Sequence, residues 1–284
     1  MHFFKWYLDN TNLITIFMCL AIVAAIEVMV LTPKQFPWKK VGYNYSFIVT
    51  AMTAEIAVRW AIVMVVGHAV TIFGGPLIDL TIAKHGGTFT QIYAVAVALL
   101  AFDFFFYWHH RFSHKYAVLW ETHKLHHAEE RLNGSSAFVN HWTDDLLRSF
   151  TVYAPMAVLF KFEPITVWWF SALITFHVIF THVDIRVPLG PLTPLINGPQ
   201  LHRLHHTNEI DKIDKNFAFY FPIWDIVFGT YLRPKKCEHT TTGLVSGETI
   251  NGLFAAHIHP FVAWYRMAKR FIMRRDAQGT GKSA

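Results

Sequence analysis

Long apolar runs, each broken by one or two charges, fill the first two thirds of the chain. Leu13 to Thr32 is apolar except for Glu27, and at about 1.5 Å per residue it is long enough to cross a hydrocarbon layer of about 30 Å as a helix. No small-residue cleavage site follows and Pro33-Lys34 ends the run, which argues against a removed signal. The loop to Tyr45 carries Lys34, Lys39 and Lys40 with no acid. Ser46 to Val66 predicts a second span, in which Glu55 and Arg59 stand at i,i+4 and can pair away from lipid. Gly67 to Ala83 is interrupted by Gly74-Gly75-Pro76 and reads as a short span, a re-entrant segment or a surface helix. Phe89 to Trp108 predicts a third clear span. Its Asp103 is placed either to accept from an imidazole or to pack between helices.

Further on, Ser149 to Thr181 is apolar but holds Lys161, Glu163 and Pro164 at its centre. It reads as two short helices back to back, a hairpin that enters and leaves on one side. Pro188 to Arg233 turns polar and rich in Pro and Gly, a water-side segment. The expected fold is therefore all-α, a polytopic integral-membrane helical protein. The organisation expected is membrane-spanning helices over 1–88, a catalytic unit over 89–235, and a C-terminal segment over 236–284 with a basic helix and a short tail.

Composition agrees. Of 284 residues 53% are hydrophobic and 15% charged, with a mean hydropathy of +0.30, where soluble domains carry about 25% charge. Two cysteines, Cys19 and Cys237, make neither a disulfide framework nor a four-cysteine zinc site. The net charge of +6 is concentrated at the C-terminus: Arg266, Lys269, Arg270, Arg274, Arg275 and Lys282 stand against Asp276 alone. Interleaved with Trp264, Tyr265, Met267, Phe271, Ile272 and Met273, this stretch reads as a helix on an anionic membrane surface, not as a nucleic-acid site.

Twelve of the 18 histidines lie between His109 and His206. His110 and His114 stand at i,i+4; His123, His126 and His127 and then His202, His205 and His206 repeat the pattern H-x-x-H-H. This spacing lets one helix offer several nitrogens to one point. Eight imidazoles exceed the needs of one ion, so two metals are expected. The clusters contain no bridging carboxylate, and an all-nitrogen shell leaves a metal pair with uncancelled positive charge, which favours the reduced ferrous state and suits an anionic peroxide made from oxygen; for an enzyme that attacks a membrane lipid, iron is therefore expected and not zinc. A structural zinc cluster and an ion path lined by histidines, as in a metal-ion transporter, are the competing readings; a transporter places its histidines at mid-depth in several spans.

The run from Trp108 to Tyr231 resembles the fatty acid hydroxylase and sterol desaturase superfamily of membrane di-iron oxidoreductases. The matching pieces are H-R-x-x-H at His110 to His114, Leu119-Trp120 before H-x-x-H-H at His123 to His127, and Asn133. His182-Val183-Asp184-Ile185-Arg186 follows, then Pro199-Gln200-Leu201 before H-x-x-H-H at His202 to His206. Asp214-Lys215-Asn216-Phe217, Pro222-Ile223-Trp224-Asp225 and Phe228-Gly229-Thr230-Tyr231 complete the set. The resemblance adds His182 to the expected ligands, with His141 and His177 as further candidates for a ligand or an orienting role. Asp184 stands where many relatives have Asn and adds a carboxylate beside His182. His109 faces away from His110 and is expected to support a ligand or cap. His2, His68, His85, His239, His257 and His259 are expected at surfaces or interfaces.

What the resemblance implies is O2-dependent C–H oxidation of a membrane lipid or sterol at two iron ions, ending in hydroxylation or desaturation. The even number of crossings expected between His127 and His202 puts the clusters on one side, and Arg111, Lys115, Lys124, Arg131 and Arg148 make that side the cytoplasm by the excess of cations there. Phe104, Phe105, Phe106, Trp168, Trp169 and Phe170 are expected in the substrate path or in an interfacial belt. Neither a haem motif nor G-x-G-x-x-G occurs in the sequence, so electrons are expected from an external donor, a small cytochrome or ferredoxin with its reductase. Arg203, Lys212, Lys215, Lys235 and Lys236 are the cations expected to meet either its acidic surface or lipid phosphates.

Overall fold

The computed structural model describes residues 11–30, 36–81, 86–161, 164–185, 188–236 and 238–280. It is mostly helical. Three long helices come first: α1 (Thr11–Val30), α2 (Trp38–Ile72) and α3 (Gly87–Lys115). Judged by length and apolar composition, α3 is the one helix among the described residues able to cross a membrane. The described apolar parts of the others, Leu20–Met29 in α1 and Ile62–Ile72 in α2, are shorter. The side chains of Arg59, Trp168, Trp169 and Phe170 lie outside what the structure describes, as do His2 and His85 altogether.

The ambiguous stretch 67–83 is not a separate helix. α2 runs through Gly67 to Ile72, and Gly74 and Gly75 then turn the chain at φ of 77° and 98°, values that favour glycine because it has no Cβ to clash. A two-residue strand, β1 (Ile78–Asp79), follows and pairs in parallel with β2 (Phe160–Lys161) in the register Ile78 to Phe160 and Asp79 to Lys161.

α3 outruns its apolar segment. Its 29 residues give a length of about 43 Å, more than a hydrocarbon layer of about 30 Å, and its last two turns carry His109, His110 and His114 as a continuation of the same rod. Tyr116 is extended and breaks it from α4 (Ala117–His127). The central hairpin is more broken than expected. Its first leg consists of α5 (Trp142–Arg148), a π-turn (Ser149–Tyr153) and α6 (Ala154–Leu159); its second is α7 (Pro164–His182). Three helices follow: α8 (Pro199–His205), α9 (Ile223–Val227) and α10 (Leu253–Thr280).

Phe102, Ala94 and Ala98 of α3 pack with Val152 and Met156, while Leu20, Val23 and Ile48 of α1 and α2 pack with Ala137, Ile179 and Val183. Within a bilayer such contacts stabilise through close packing, because lipid tails are as apolar as the side chains. Two buried acids then tie loops to helices. Glu27 of α1 accepts from the backbone N–H of Gly134 and Asp184, each at 3.0 Å. Asp103 of α3 accepts from the N–H groups of Phe219, Tyr220 and Phe221 at 2.6, 3.1 and 2.5 Å. Asp103 is thus a loop clamp and not an imidazole acceptor.

Candidate metal centre

Two groups of imidazoles converge at the end of α3. His110, His114, His123, His127 and His205 form the first, and His126, His182, His202 and His206 the second; within each, one nitrogen per ring lies within 4.8 Å of all the others. The two H-x-x-H-H motifs do not each serve one point. Both split, the i,i+4 pair going to one group and the intervening histidine to the other. Steps of three and four residues diverge by about 100° around a helix, so α4 and α8 each feed both groups. The groups touch: the rings of His127 and His206 stack at 4.3 Å.

The outward nitrogens show which atoms face inward. Nδ1 of His110 lies 2.8 Å from the carbonyl oxygen of Phe217, Nδ1 of His205 2.8 Å from that of Lys215, and Nδ1 of His182 2.6 Å from that of Val178. A carbonyl only accepts, so each Nδ1 carries the proton and each Nε2 presents a bare lone pair. Nδ1 of His114 meets the Asp214 carboxylate at 3.1 Å. Inward, Nε2 of His110 and of His205 is buried without a protein partner. The Nε2 atoms of His182, His202 and His206 form a chain of 3.1 Å steps, with His126 3.2 Å from His182. In the first group His114 and His127 stand 3.1 Å apart. Two nitrogens held at right angles about 2.1 Å from one ion are about 3.0 Å apart. The donors therefore fit two metal ions.

Burial, and then the neighbouring imidazoles, hold His126, His127, His202, His205 and His206 well below the usual histidine range. They are neutral at physiological pH, the form that binds metal. Of the nine clustered rings, His123 faces the buried carboxylate of Asp144, at 3.6 Å from Nδ1, too long for a hydrogen bond. Burial opposes the charge on Asp144, but Arg148 at 2.6 Å keeps its carboxyl well below the usual range.

The other expected residues lie elsewhere. His109 donates or accepts at Thr151 Oγ1, 2.8 Å away in the π-turn, and stands 3.4 Å from Asp144. His141 caps α5 through Thr143 and meets the backbone oxygen of His257 at 2.9 Å. His177 meets the carbonyl of Phe219 at 2.9 Å and stacks on Tyr220. Asp184 is held between Arg131 at 3.0 Å and Arg203 at 2.8 Å. None of the four joins either group. Sequence reasoning missed the supports that are backbone atoms, because the carbonyls of Lys215, Phe217 and Val178 have no residue signature. It also missed Asn197, whose amide holds the carbonyls of Ala218 and Phe219 at 3.1 Å each.

Two spaces reach the centre. A cavity of about 50 Å³ touches His110 and His123 of one group and His126, His182 and His202 of the other, and is closed by Phe106, Val178 and Phe219. An open cleft of about 480 Å³ reaches His114, His127 and His205 past Trp120, Lys115 and Leu244.

A buried, all-histidine centre carried at the end of a membrane-length helix defines the class. Residues 95–230, just under half of the chain, match the model of the fatty acid hydroxylase family, the family whose motifs the histidine clusters resemble. It is 37% identical over 138 residues to alkylglycerol monooxygenase of Danio rerio, covering 48% of this chain and 30% of that protein. Ornithine lipid hydroxylase of Rhizobium tropici is 29% identical over 60% of the chain and 50% of its own length, and lathosterol oxidase of Homo sapiens 29% identical over 54% and 49%. The matched stretch thus spans about a third to a half of these curated relatives. No solved structure matches the chain.

Proposed function

We propose that this protein is a multi-pass membrane oxidoreductase that holds two iron ions on its nine clustered histidines and uses molecular oxygen to hydroxylate or desaturate a membrane lipid or sterol. The observation that carries the reading is the pair of touching imidazole groups whose outward nitrogens are pinned by carbonyls and whose inward nitrogens are bare and buried. Iron held by these two groups would supply the chemistry that reduces oxygen and oxidises the substrate C–H bond. The chain's own contribution is to orient the ligands and exclude water. The small cavity has room for about one or two waters, so it accepts the reacting carbon and not the lipid body. Phe106, Val178 and Phe219 give it an apolar wall, which suits an alkyl C–H group. Residues 89–235 form the catalytic unit, with 1–88 as membrane helices that pack on it and 236–284 as the C-terminal appendage.

The centre faces the cytoplasm. Lys40, at the start of α2, forms an ion pair with Glu129, two residues beyond His127, so the lysine-bearing loop shares the side of the histidines, in accord with the excess of cations on that side. Accessibility tests the topology. Ser135 and Thr207 are buried, whereas Glu130 and Asp211 are exposed. Cysteines placed at 130 and 211 are expected to label from the same side of sealed vesicles, and opposite accessibility overturns the arrangement. Metal analysis with oxygen uptake and lipid product analysis tests the chemistry. Iron with oxygen-linked lipid oxidation supports it; zinc alone in active protein, or metal flux across vesicles without oxidation, replaces it with one of the competing readings.

A further inference from the structure

The first turns of α10 are bolted to the rest of the protein. The His257 ring stacks on Phe47 at 4.8 Å and its Nε2 meets Thr50 at 2.8 Å. His259 lies 3.2 Å from Glu121, and the Trp264 indole N–H donates to the Val118 carbonyl at 2.9 Å. Val118 and Glu121 belong to α4, the helix that carries His123, His126 and His127. The docked side is marked by the buried Ala256 and Pro260.

The opposite side is apolar and exposed. Phe254, Phe261, Tyr265 and Ile272 are spaced by seven, four and seven residues, which at 100° per residue places them within a strip about 40° wide. They are 77%, 41%, 68% and 58% exposed. From residue 268 to 274 every side chain is exposed, so the second half of the helix leaves the body of the protein with this strip continuing along it. Lys269 and Arg266 follow the strip on one flank, Arg270 and Arg274 lie further round, and no acid occurs between Leu253 and Arg275. An apolar strip beside cations suits an interface where acyl chains lie under phosphates. A second copy of the helix would cover the strip but would bring like charges together.

We infer that α10 lies along the surface of an anionic phospholipid bilayer, its apolar strip immersed and its cations at the phosphates, and that through Val118 and Glu121 it fixes the height of α4, and so of both imidazole groups, above the lipid. This rests on the membrane reading above. The test uses the full chain with Cys19→Ala and Cys237→Ser, reconstituted into vesicles of phosphatidylcholine with or without phosphatidylglycerol. A fluorophore is placed at Ile272→Cys, or as a control at Ile92→Cys, an exposed position in α3, and quenched by spin-labelled lipid or aqueous iodide. The label at 92 is expected to be quenched by lipid in every vesicle. The label at 272 is expected to be quenched by lipid at least threefold more strongly when phosphatidylglycerol is present. That gain should vanish on replacing Arg266, Lys269, Arg270 and Arg274 together by Gln. Quenching at 272 by iodide alone in all vesicles, or shielding that depends on protein density, overturns the inference while leaving the membrane reading intact. Failure of lipid to quench at 92 overturns the membrane reading itself.

Discussion

The carbonyl oxygen of Phe217 lies 2.8 Å from Nδ1 of His110, and this contact turns a loop into a ligand holder. The same loop supplies Lys215 O to His205 and the Asp214 carboxylate to His114, so three of the five rings in the first group take their orientation from four consecutive residues. The loop is itself held by Asp225, which accepts from the N–H of Phe217 at 2.7 Å and of Ala218 at 2.9 Å and from the Thr230 hydroxyl at 2.7 Å. Asn216, at φ 59°, clamps Leu232 from both sides of its amide.

Replacing Asp225 by Ala leaves the buried N–H groups of Phe217 and Ala218 unpaired, a loss of about 2–6 kcal/mol at about 1–3 per group. Because the freed loop is the one behind His110 and His205, metal in the first group is expected to bind about 10–100-fold more weakly, the usual effect of losing an orienting partner. Thermal unfolding and metal titration of the variant check this. Wild-type affinity alongside lowered stability would show that the loop does not orient the ligands.

The groups differ in how well they are pinned. In the second, His182 is held by Val178, but Nδ1 of His126 and of His206 is buried without a protein partner, and the group has four rings instead of five. Looser rings bind less tightly, because part of the binding free energy is lost in ordering them. Chelation is therefore expected to remove metal in two phases. His202→Ala should abolish the faster phase and His110→Ala the slower one. A single phase in wild-type protein would contradict independent groups.

How much of this was legible in the sequence depends on whether a feature is carried by side-chain type or by backbone. The spacings of His110 and His114, and of the two H-x-x-H-H motifs, marked the helices that carry the clustered histidines, and all eight rings lie in the two groups. Their partition was not legible, since H-x-x-H-H says nothing about whether one or two points face the helix. His182 was found through resemblance. His141 and His177 looked similar in sequence, yet each is satisfied elsewhere, His177 being about 140° round α7 from His182. In the fold, the apolar runs located α1 to α3, and Pro155, which has no N–H to give the carbonyl of Thr151, announces a break near Ser149–Tyr153; that the break is a π-turn whose Thr151 meets His109 is visible only in the structure.

The buried imidazoles set a pH dependence for the metal-free protein. Burial foremost holds His141 down to about 4, and holds His126, His127, His202, His205 and His206 well below their usual range. In the unfolded chain each titrates near 6.5. Below that value the unfolded state takes up protons that the folded state refuses, so stability falls as pH falls, by up to about 1.4 kcal/mol per pH unit per histidine, and is insensitive to these groups above about pH 7. The unfolding midpoint of chelated protein is expected to drop between pH 7 and 5, and a midpoint that is flat or rising over that interval contradicts it. His141→Gln, remote from both groups, should reduce the slope.

Electron supply gives the last expectation. Two of the cations expected to receive a carrier are already occupied within the chain: Arg203 pairs with Asp184 at 2.8 Å, and Lys212 with Glu209 at 2.6 Å and Glu238 at 2.8 Å, which raises the Lys212 pKa. Lys235 and Lys236 are exposed and remain as the pair for an acidic surface. If an acidic carrier docks there, Lys235→Glu with Lys236→Glu is expected to slow carrier-dependent turnover several-fold at low salt. The difference should shrink at 1 M salt, where charges are screened within about 3 Å. Protein given oxygen, lipid and reduced nicotinamide nucleotide alone should be silent until a carrier and its reductase are added, since the sequence holds no haem motif or dinucleotide fingerprint to accept the electrons. Stopped-flow reduction and product analysis measure both effects. Sustained turnover without a carrier would place the electron path inside this chain, and a charge-reversed variant as fast as wild type at low salt would move the docking surface elsewhere.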